Sequence, residues 1–168
     1  ILTLYTREQG KLRVIAKGAR KIRSRKAGHL EPFTHITLQL AKSHDLPIVT
    51  QVETLDAYLP LRENLLRTSY ASYVMELLDR FTSEDGSEDA LLFNLLTDTL
   101  ARLAALDDPW LALRYYELHA LDLLGFRPHL FECANCGTQI QPVAQFFSAA
   151  TGGVLCPRCG QGLPGARP

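Results

Sequence analysis

A chain of 168 residues has room for one large domain or two or three small ones, and its 46% hydrophobic and 21% charged content is that of a folded protein rather than a disordered segment. No stretch approaches the roughly 18 uninterrupted apolar residues of a membrane helix, and the basic beginning carries no apolar signal-peptide core, so a cytoplasmic protein with no membrane partner is expected. The formal net charge of zero hides two opposite parts: residues 1–45 carry ten Lys/Arg against three Asp/Glu, and residues 46–168 carry eight against fifteen, so a phosphate-attracting part with net +7 is joined to an acidic one with net −7.

In chain order, the segments "ILTLYT", "KLRVIAK", "FTHITLQLAKS" and "LPIVTQVETL" are short runs rich in Val, Ile, Leu, Thr and aromatics with partial alternation. The alternation is clearest at Leu12, Val14, Ala16 and at Phe33, Ile36, Leu38, Leu40. The first two runs are joined by "REQG", whose Gly10 suits the positive φ of a hairpin. "SHDLP" separates the last two, and a long basic stretch separates the second and third. Residues 1–57 therefore predict a β meander of the OB-fold kind, one strand short of the five such a barrel needs. The chain starts with Ile rather than Met, and a strand preceding Ile1 would make up the count.

Beyond Tyr58 the period changes to 3.6, predicting a helical domain over residues 58–129. Leu61, Leu65, Leu66, Tyr70, Tyr73, Val74, Leu77, Leu78 and Phe81 fall on one stripe of a first helix, which "TSEDGSED" ends. A second starts near Ser87 as N-cap, with Glu88 and Asp89 against the positive end of the dipole, and carries Leu91, Leu92, Leu95, Leu96, Leu100 and Leu103. Asp108 and Pro109 start a third, bearing Trp110, Leu113, Tyr116, Leu121 and Leu124 to a stop at Gly125 with Pro128 just beyond.

Residues 130–162 are loop-rich and hold all four cysteines, Cys133, Cys136, Cys156 and Cys159, in the pattern C-x2-C-x19-C-x2-C; residues 163–168 read as a tail or truncated linker. Each C-x2-C lets two thiolates of a tight turn face one metal, and the glycine after each pair is expected in the left-handed region. Four thiolates complete a tetrahedral Zn2+ site with no open position, which predicts one structural zinc ion per chain and argues against a metalloenzyme. A disulfide pair is disfavoured by the absence of a secretory signal, and a redox dithiol needs only one C-x-x-C. His129 is near enough in sequence to ligate, but the four sulfurs suffice and it reads as a solvent-facing linker residue. The five histidines sit at scattered positions with no motif around them, no phosphate-binding "GxxxxGK[ST]" appears, and "ATGGVL" reads as a turn. The protein is not expected to be an enzyme.

The stretch "KGARKIRSRKAGHL" carries Lys17, Arg20, Lys21, Arg23, Arg25 and Lys26 with no acidic residue. The plain alternative is a solvated loop that is merely polar. Lys11 and Arg13, on one face of the preceding strand, extend the patch, and Gly18 and Gly28 bracket it. In an OB-fold, loops between strands flank the groove that holds oligonucleotides, so these eight cations are the expected contacts to a DNA backbone, without base reading. Tyr5 and Phe33 are the candidates for base stacking, although aromatics in small barrels are more often core.

These parts in this order resemble one known family. "LYTREQGKLRVIAKGARKIRSRKAGHLEPF", Glu53 in the next strand, "YASYVMELLDRF", "LFNLLTDTLARL", "YYELHALDLLGFRPHLFECANCG" and "GGVLCPRCG" are similar to the RecO family of bacterial recombination mediators, from Leu4 to about Gly160. "KGARKIRSR" followed by "LEPF" and "LLGFRPHLFECANCG" are the distinctive pieces. The resemblance implies an α+β multidomain protein: an N-terminal OB-fold β-barrel, a central α-helical domain and a four-cysteine zinc-binding module. It further implies a cytoplasmic, nucleoid-associated protein that binds single- and double-stranded DNA, anneals complementary strands and helps load recombinase. The implied protein partners are RecR and the acidic tail of the single-stranded DNA-binding protein. It carries the zinc-ligand role onto the four cysteines and DNA contact onto the basic residues of "GKLRVIAKGARKIRSR". The family pattern has a further first strand and further helices after the zinc module. An adaptor whose zinc ribbon and helices dock proteins, with no annealing of its own, is the alternative, separated from a mediator by salt-sensitive oligonucleotide binding.

Overall fold

The computed structural model describes residues 1–84 and 90–168. By contact density the chain divides into two compact units, Ile1–Glu117 and Leu118–Pro168. The predicted Ser87 cap, with Glu88 and Asp89, lies outside the described residues.

The first unit opens with two antiparallel hairpins. β1 (Leu2–Thr6) pairs with β2 (Gly10–Val14) in the register Leu2 to Val14 and Thr6 to Gly10. Gly10 takes φ +59, and Thr6 Oγ1 both donates to the Gly10 carbonyl and accepts from the Gln9 amide, closing the turn. β3 (His35–Ala41) pairs with β4 (Ile48–Asp56), with register shifts at His35/Ile36 and Gln39/Leu40. The hairpins meet where the Ile15 amide donates to the Pro47 carbonyl and the Val49 amide to the Ile15 carbonyl, a parallel bridge that buries Val14 and Val49 completely. The β strands are those the alternation predicts. Among the described residues they form two-stranded sheets rather than a closed barrel.

After Tyr58, held at φ +40, the helices follow: α1 (Pro60–Glu63), α2 (Leu65–Phe81), α3 (Ala90–Ala105) and α4 (Trp110–Leu123). The single first helix of the sequence reading is two. Asn64 leaves the helical region at φ −123 and ψ 119 and caps α2 by accepting the Arg67 amide with its side chain. The break resets the phase. Ala71, Val74 and Leu78 form the buried row of α2, and Leu65 and Leu66 stand about 200° and 100° round the helix from Arg67, which continues that row. Leu65 is consequently 82% exposed and Leu66 55%. On α3 the buried row is Leu92, Leu96, Thr99, Leu100 and Leu103, and Leu91 lies outside it, exposed. Ala112, Leu113 and Tyr116 of α4 are buried, whereas Trp110 is exposed. Asp108 accepts the Trp110 amide, and the helix ends at Gly125 (φ +80) with the Phe126 amide on the Leu121 carbonyl and the Gly125 amide on that of Asp122, a Schellman stop as expected.

The second unit has little apolar core. Its short β5 (Phe146–Ser148) and β6 (Gly153–Leu155) pair antiparallel, and α5 (Pro157–Gly160) follows directly. Among the described residues no helix is long and apolar enough to cross a membrane.

Candidate metal centre and nucleic-acid interface

The first cysteine pair sits on a tight turn. The Cys133 amide donates to the Thr138 carbonyl, the Gly137 amide to the Cys133 carbonyl, and the Ile140 amide to the Phe131 carbonyl, so the chain doubles back within a few residues. Gly137 has the left-handed φ of +71 that this return needs. The second pair brackets α5: Cys156 is its N-cap, and the amides of Cys159 and Gly160 donate back to the Cys156 carbonyl. Gly160 departs from the expected left-handed angle because it lies in this helical turn; glycine is required there because a Cβ would overlap the Phe146 ring. The Ala134 amide on the Val154 carbonyl and the Val154 amide on the His129 carbonyl bind the two turns together through β6.

The result brings all four predicted ligands into one cluster, their sulfurs within 4.8 Å of one another. Metal–sulfur bonds of about 2.3 Å in a tetrahedron require sulfur–sulfur edges of about 3.8 Å, and Cys136 Sγ and Cys156 Sγ stand 3.9 Å apart. The four thiols can therefore hold a metal ion. Their surroundings favour thiolate at two positions. The Cys156 amide, 3.3 Å from Cys133 Sγ, leads the hydrogen bonds that pull Cys133 down to about 6. The Thr138 hydroxyl, 3.2 Å from Cys136 Sγ, lowers Cys136. At Cys159 a hydrogen bond with Asn135 works downward, but the crowd of neighbouring sulfurs, Cys156 and Cys136 first, leaves it raised to about 11. Such a crowd is relieved by one divalent cation. His129 is outside the cluster. Its backbone bridges to Gly153 rather than running as a free linker, and Gly153 has no room for a side chain against it.

The basic residues fall into two groups. Lys17, Arg20, Lys21, Arg23 and Arg25 are exposed, and among the described residues no acidic side chain lies within ion-pair distance of them. The loop that carries them is a chain of overlapping turns: the Ala19 amide donates to the Ala16 carbonyl, Lys21 to Gly18 and Ser24 to Lys21, with Gly18 at φ +73. A single 3-10 turn over Ala27–His29 returns it to β4, where His29 Nδ1 lies 2.8 Å from the Thr54 hydroxyl. Lys26 belongs to this anchor, its Nζ donating to the Val49 carbonyl at 2.6 Å.

Lys11 and Arg13 are directed elsewhere. Lys11 Nζ is 2.7 Å from the Asp79 carboxylate and donates to the Asp79 carbonyl at 2.8 Å, so it caps the C-terminus of α2. Arg13 lies 3.9 Å from Glu84. Glu84, in the run that in the sequence only ends a helix, thus lies beside the second strand cation, while the helix itself supplies the partner of the first. Partners 68 positions apart leave no local signal. Of the stacking candidates, Tyr5 is half-buried and near enough to Tyr116 to influence its ionisation, and Phe33 is half-buried at φ +60.

Comparison with known proteins bears on both features. The family profile described as "Recombination protein O N terminal" matches residues 1–58, and "Recombination protein O C terminal" matches residues 62–168. A protein named DNA repair protein RecO from Roseiflexus sp. (strain RS-1) is 49% identical over 153 residues, covering 89% of this chain and 53% of that protein. Its namesake from Desulforudis audaxviator is 41% identical over 167 residues, covering 99% and 66%, and that from Symbiobacterium thermophilum is 39% identical over 161 residues, covering 95% and 64%. The chain spans roughly half to two thirds of the length of these curated relatives. With both profiles matched in order along nearly all its residues, and the four-cysteine cluster inside the second, the chain belongs to the RecO family.

Proposed function

We propose that the chain is the DNA-handling part of a recombination mediator in DNA repair, which binds single- and double-stranded DNA through phosphate contacts and promotes annealing of complementary strands. The observation that carries this reading is the five exposed cations on a loop already folded into successive turns and tied to β4. A pre-ordered cationic loop loses less conformational entropy on meeting a phosphate chain than a mobile one. The two hairpins joined at Ile15 and Ile48 are read as part of an OB-fold, whose inter-strand loops flank an oligonucleotide groove. Binding of this kind is sequence-independent and salt-sensitive. The protein acts by holding and pairing strands and not as a bond-breaking enzyme. RecR and the single-stranded DNA-binding protein, whose coat must yield to recombinase, are the protein partners this reading carries.

The metal of the second unit is read as zinc, held by Cys133, Cys136, Cys156 and Cys159, where it supplies folding energy to a segment with few buried side chains. Metal analysis of the purified protein should return one zinc per chain; a folded protein with four freely titrating thiols and no stoichiometric metal would refute the assignment.

The deciding experiment is annealing of complementary oligonucleotides by wild type and by a variant with Lys17, Arg20, Lys21, Arg23 and Arg25 changed to Ala. The wild type should accelerate annealing and the variant should not. Unchanged annealing in the variant would move DNA contact away from this loop. Exposed apolar side chains on the helices, among them Leu65, Leu66 and Leu111, favour an additional protein-docking role. A chain that is only such an adaptor would neither bind naked oligonucleotide nor speed annealing.

A further inference from the structure

Within the basic loop one residue breaks the local rules. Ile22 occupies the second position of the turn that the Ser24 amide closes onto the Lys21 carbonyl at 2.8 Å. Gly, Pro, Asn, Asp and Ser dominate such turns, and a β-branched residue is better suited to a strand than to a tip. Ile22 is also completely exposed, with no side chain packed against it. Within residues 1–58 the other large apolar side chains with comparable exposure are Ile1, the first residue of the chain, and Leu55, and neither sits among cations. Where a residue contradicts both its local structure and its solvation with no gain in the fold, the compensating gain is sought in a ligand.

The neighbours say which ligand. Lys21 and Arg23 flank Ile22, and Arg20 and Arg25 lie just beyond, so anything that covers Ile22 meets cations on both sides. Because the turns before it are closed by backbone hydrogen bonds and the segment after it is anchored through Lys26 and His29, the tip is held out rather than free to fold back. The half-buried Tyr5 and Phe33 offer no exposed aromatic platform for a base. A nucleic acid presents the complementary pattern: phosphates at the edge and apolar base faces between them, into which DNA-bending proteins insert Ile, Leu or Met.

We propose that Ile22 is an apolar wedge that enters between neighbouring bases while the surrounding Lys and Arg hold the flanking phosphates, so that the loop unstacks DNA as well as gripping it. This rests on the DNA-binding reading above and adds to it a base contact that cations cannot make. A wedge that loosens a stacked step is useful to annealing, in which wrongly paired stretches must open before the correct register closes.

The test uses the full-length zinc-loaded protein and a short duplex carrying 2-aminopurine, whose fluorescence rises on unstacking, and a separate dye for anisotropy. Wild type should bind and raise the 2-aminopurine signal several-fold at saturation. Ile22→Ser should keep the same salt dependence, since no phosphate contact is lost, yet at saturation lose more than about half of that rise; Ile22→Leu should keep it. An equal rise with Ile22→Ser, or no rise with saturated wild type, overturns the proposal while leaving DNA binding intact. No anisotropy change with wild type at low salt removes the DNA-binding reading itself. Vesicles of anionic lipid give the remaining arm: Ile22-dependent binding to them without base unstacking would assign the tip to a membrane surface and overturn the wedge.

Discussion

At Gly160 the fold has no space for even one methyl group, since a Cβ would overlap the Phe146 ring beside the second cysteine pair. Gly160→Ala should therefore destabilise the second unit by about 1–3 kcal/mol, as overpacking does, read as a lower thermal midpoint of zinc-loaded protein; an unchanged midpoint would mean the ring moves aside freely. Tyr116 makes a different prediction. It is buried, its hydroxyl 3.4 Å from the Val74 carbonyl, and burial, with a smaller contribution from Tyr5, raises its pKa well above the ordinary tyrosine value. The folded protein thus holds the phenolic proton more tightly than the unfolded chain. That difference leaves stability intact below about pH 10 and erodes it as pH rises further, where the unfolded chain ionises and the fold resists. Urea midpoints between pH 8 and 11 should decline less steeply in Tyr116→Phe than in wild type, and parallel declines would assign the effect to other groups.

Between elements, the tie from β2 to the end of α2 gives Lys11 a structural role. Lys11 has a side chain only 16% exposed and meets both the Asp79 carboxylate and the last carbonyls of the helix, where a cation is favoured by the dipole. Lys11→Met should cost about 1–2 kcal/mol of stability and leave the salt dependence of DNA binding where it was. If instead Lys11→Met flattened that dependence without a change in stability, Lys11 would be a phosphate contact after all. At α2 the break at Asn64 has a comparable lesson: Leu61 and Leu78 are buried on either side of it, but the leucines immediately after the break are turned to solvent. Apolar periodicity recognised a helical region here and could not detect that a capping asparagine divides it.

Over the chain as a whole, the charge is segregated, +7 before Leu46 and −7 from there on. If all five exposed loop cations neutralise phosphates, the plot of log affinity against log salt should have a slope near about −4.5 on duplex DNA, about 0.9 for each contact. Removing the loop cations one at a time should flatten that slope by about 0.9 per residue. A slope that stays constant through the series would place the grip elsewhere. Removing the metal addresses the other unit: chelation should melt the structure of residues 118–168, visible as lost amide protection there, while α2 and α3 retain theirs.

What the sequence alone determined was whatever depends on neighbours along the chain. Alternation placed β1 to β4, Asp108 and Gly125 bounded α4, and C-x2-C repeated at its spacing identified the four residues that the fold gathers into one cluster. Tertiary structure decided what depends on residues distant in the chain. It sent Lys11 to Asp79, set Arg13 beside Glu84 and turned Lys26 to the Val49 carbonyl, while the other five of the eight predicted cations stayed exposed with no acidic side chain in ion-pair reach among the described residues. It also decided why Gly160 must be glycine, through a ring from another strand rather than through a backbone angle. The reason is the same in each case: a period or a ligand spacing is a property of consecutive residues, whereas an ion pair or a steric limit is made by two segments that only folding brings together.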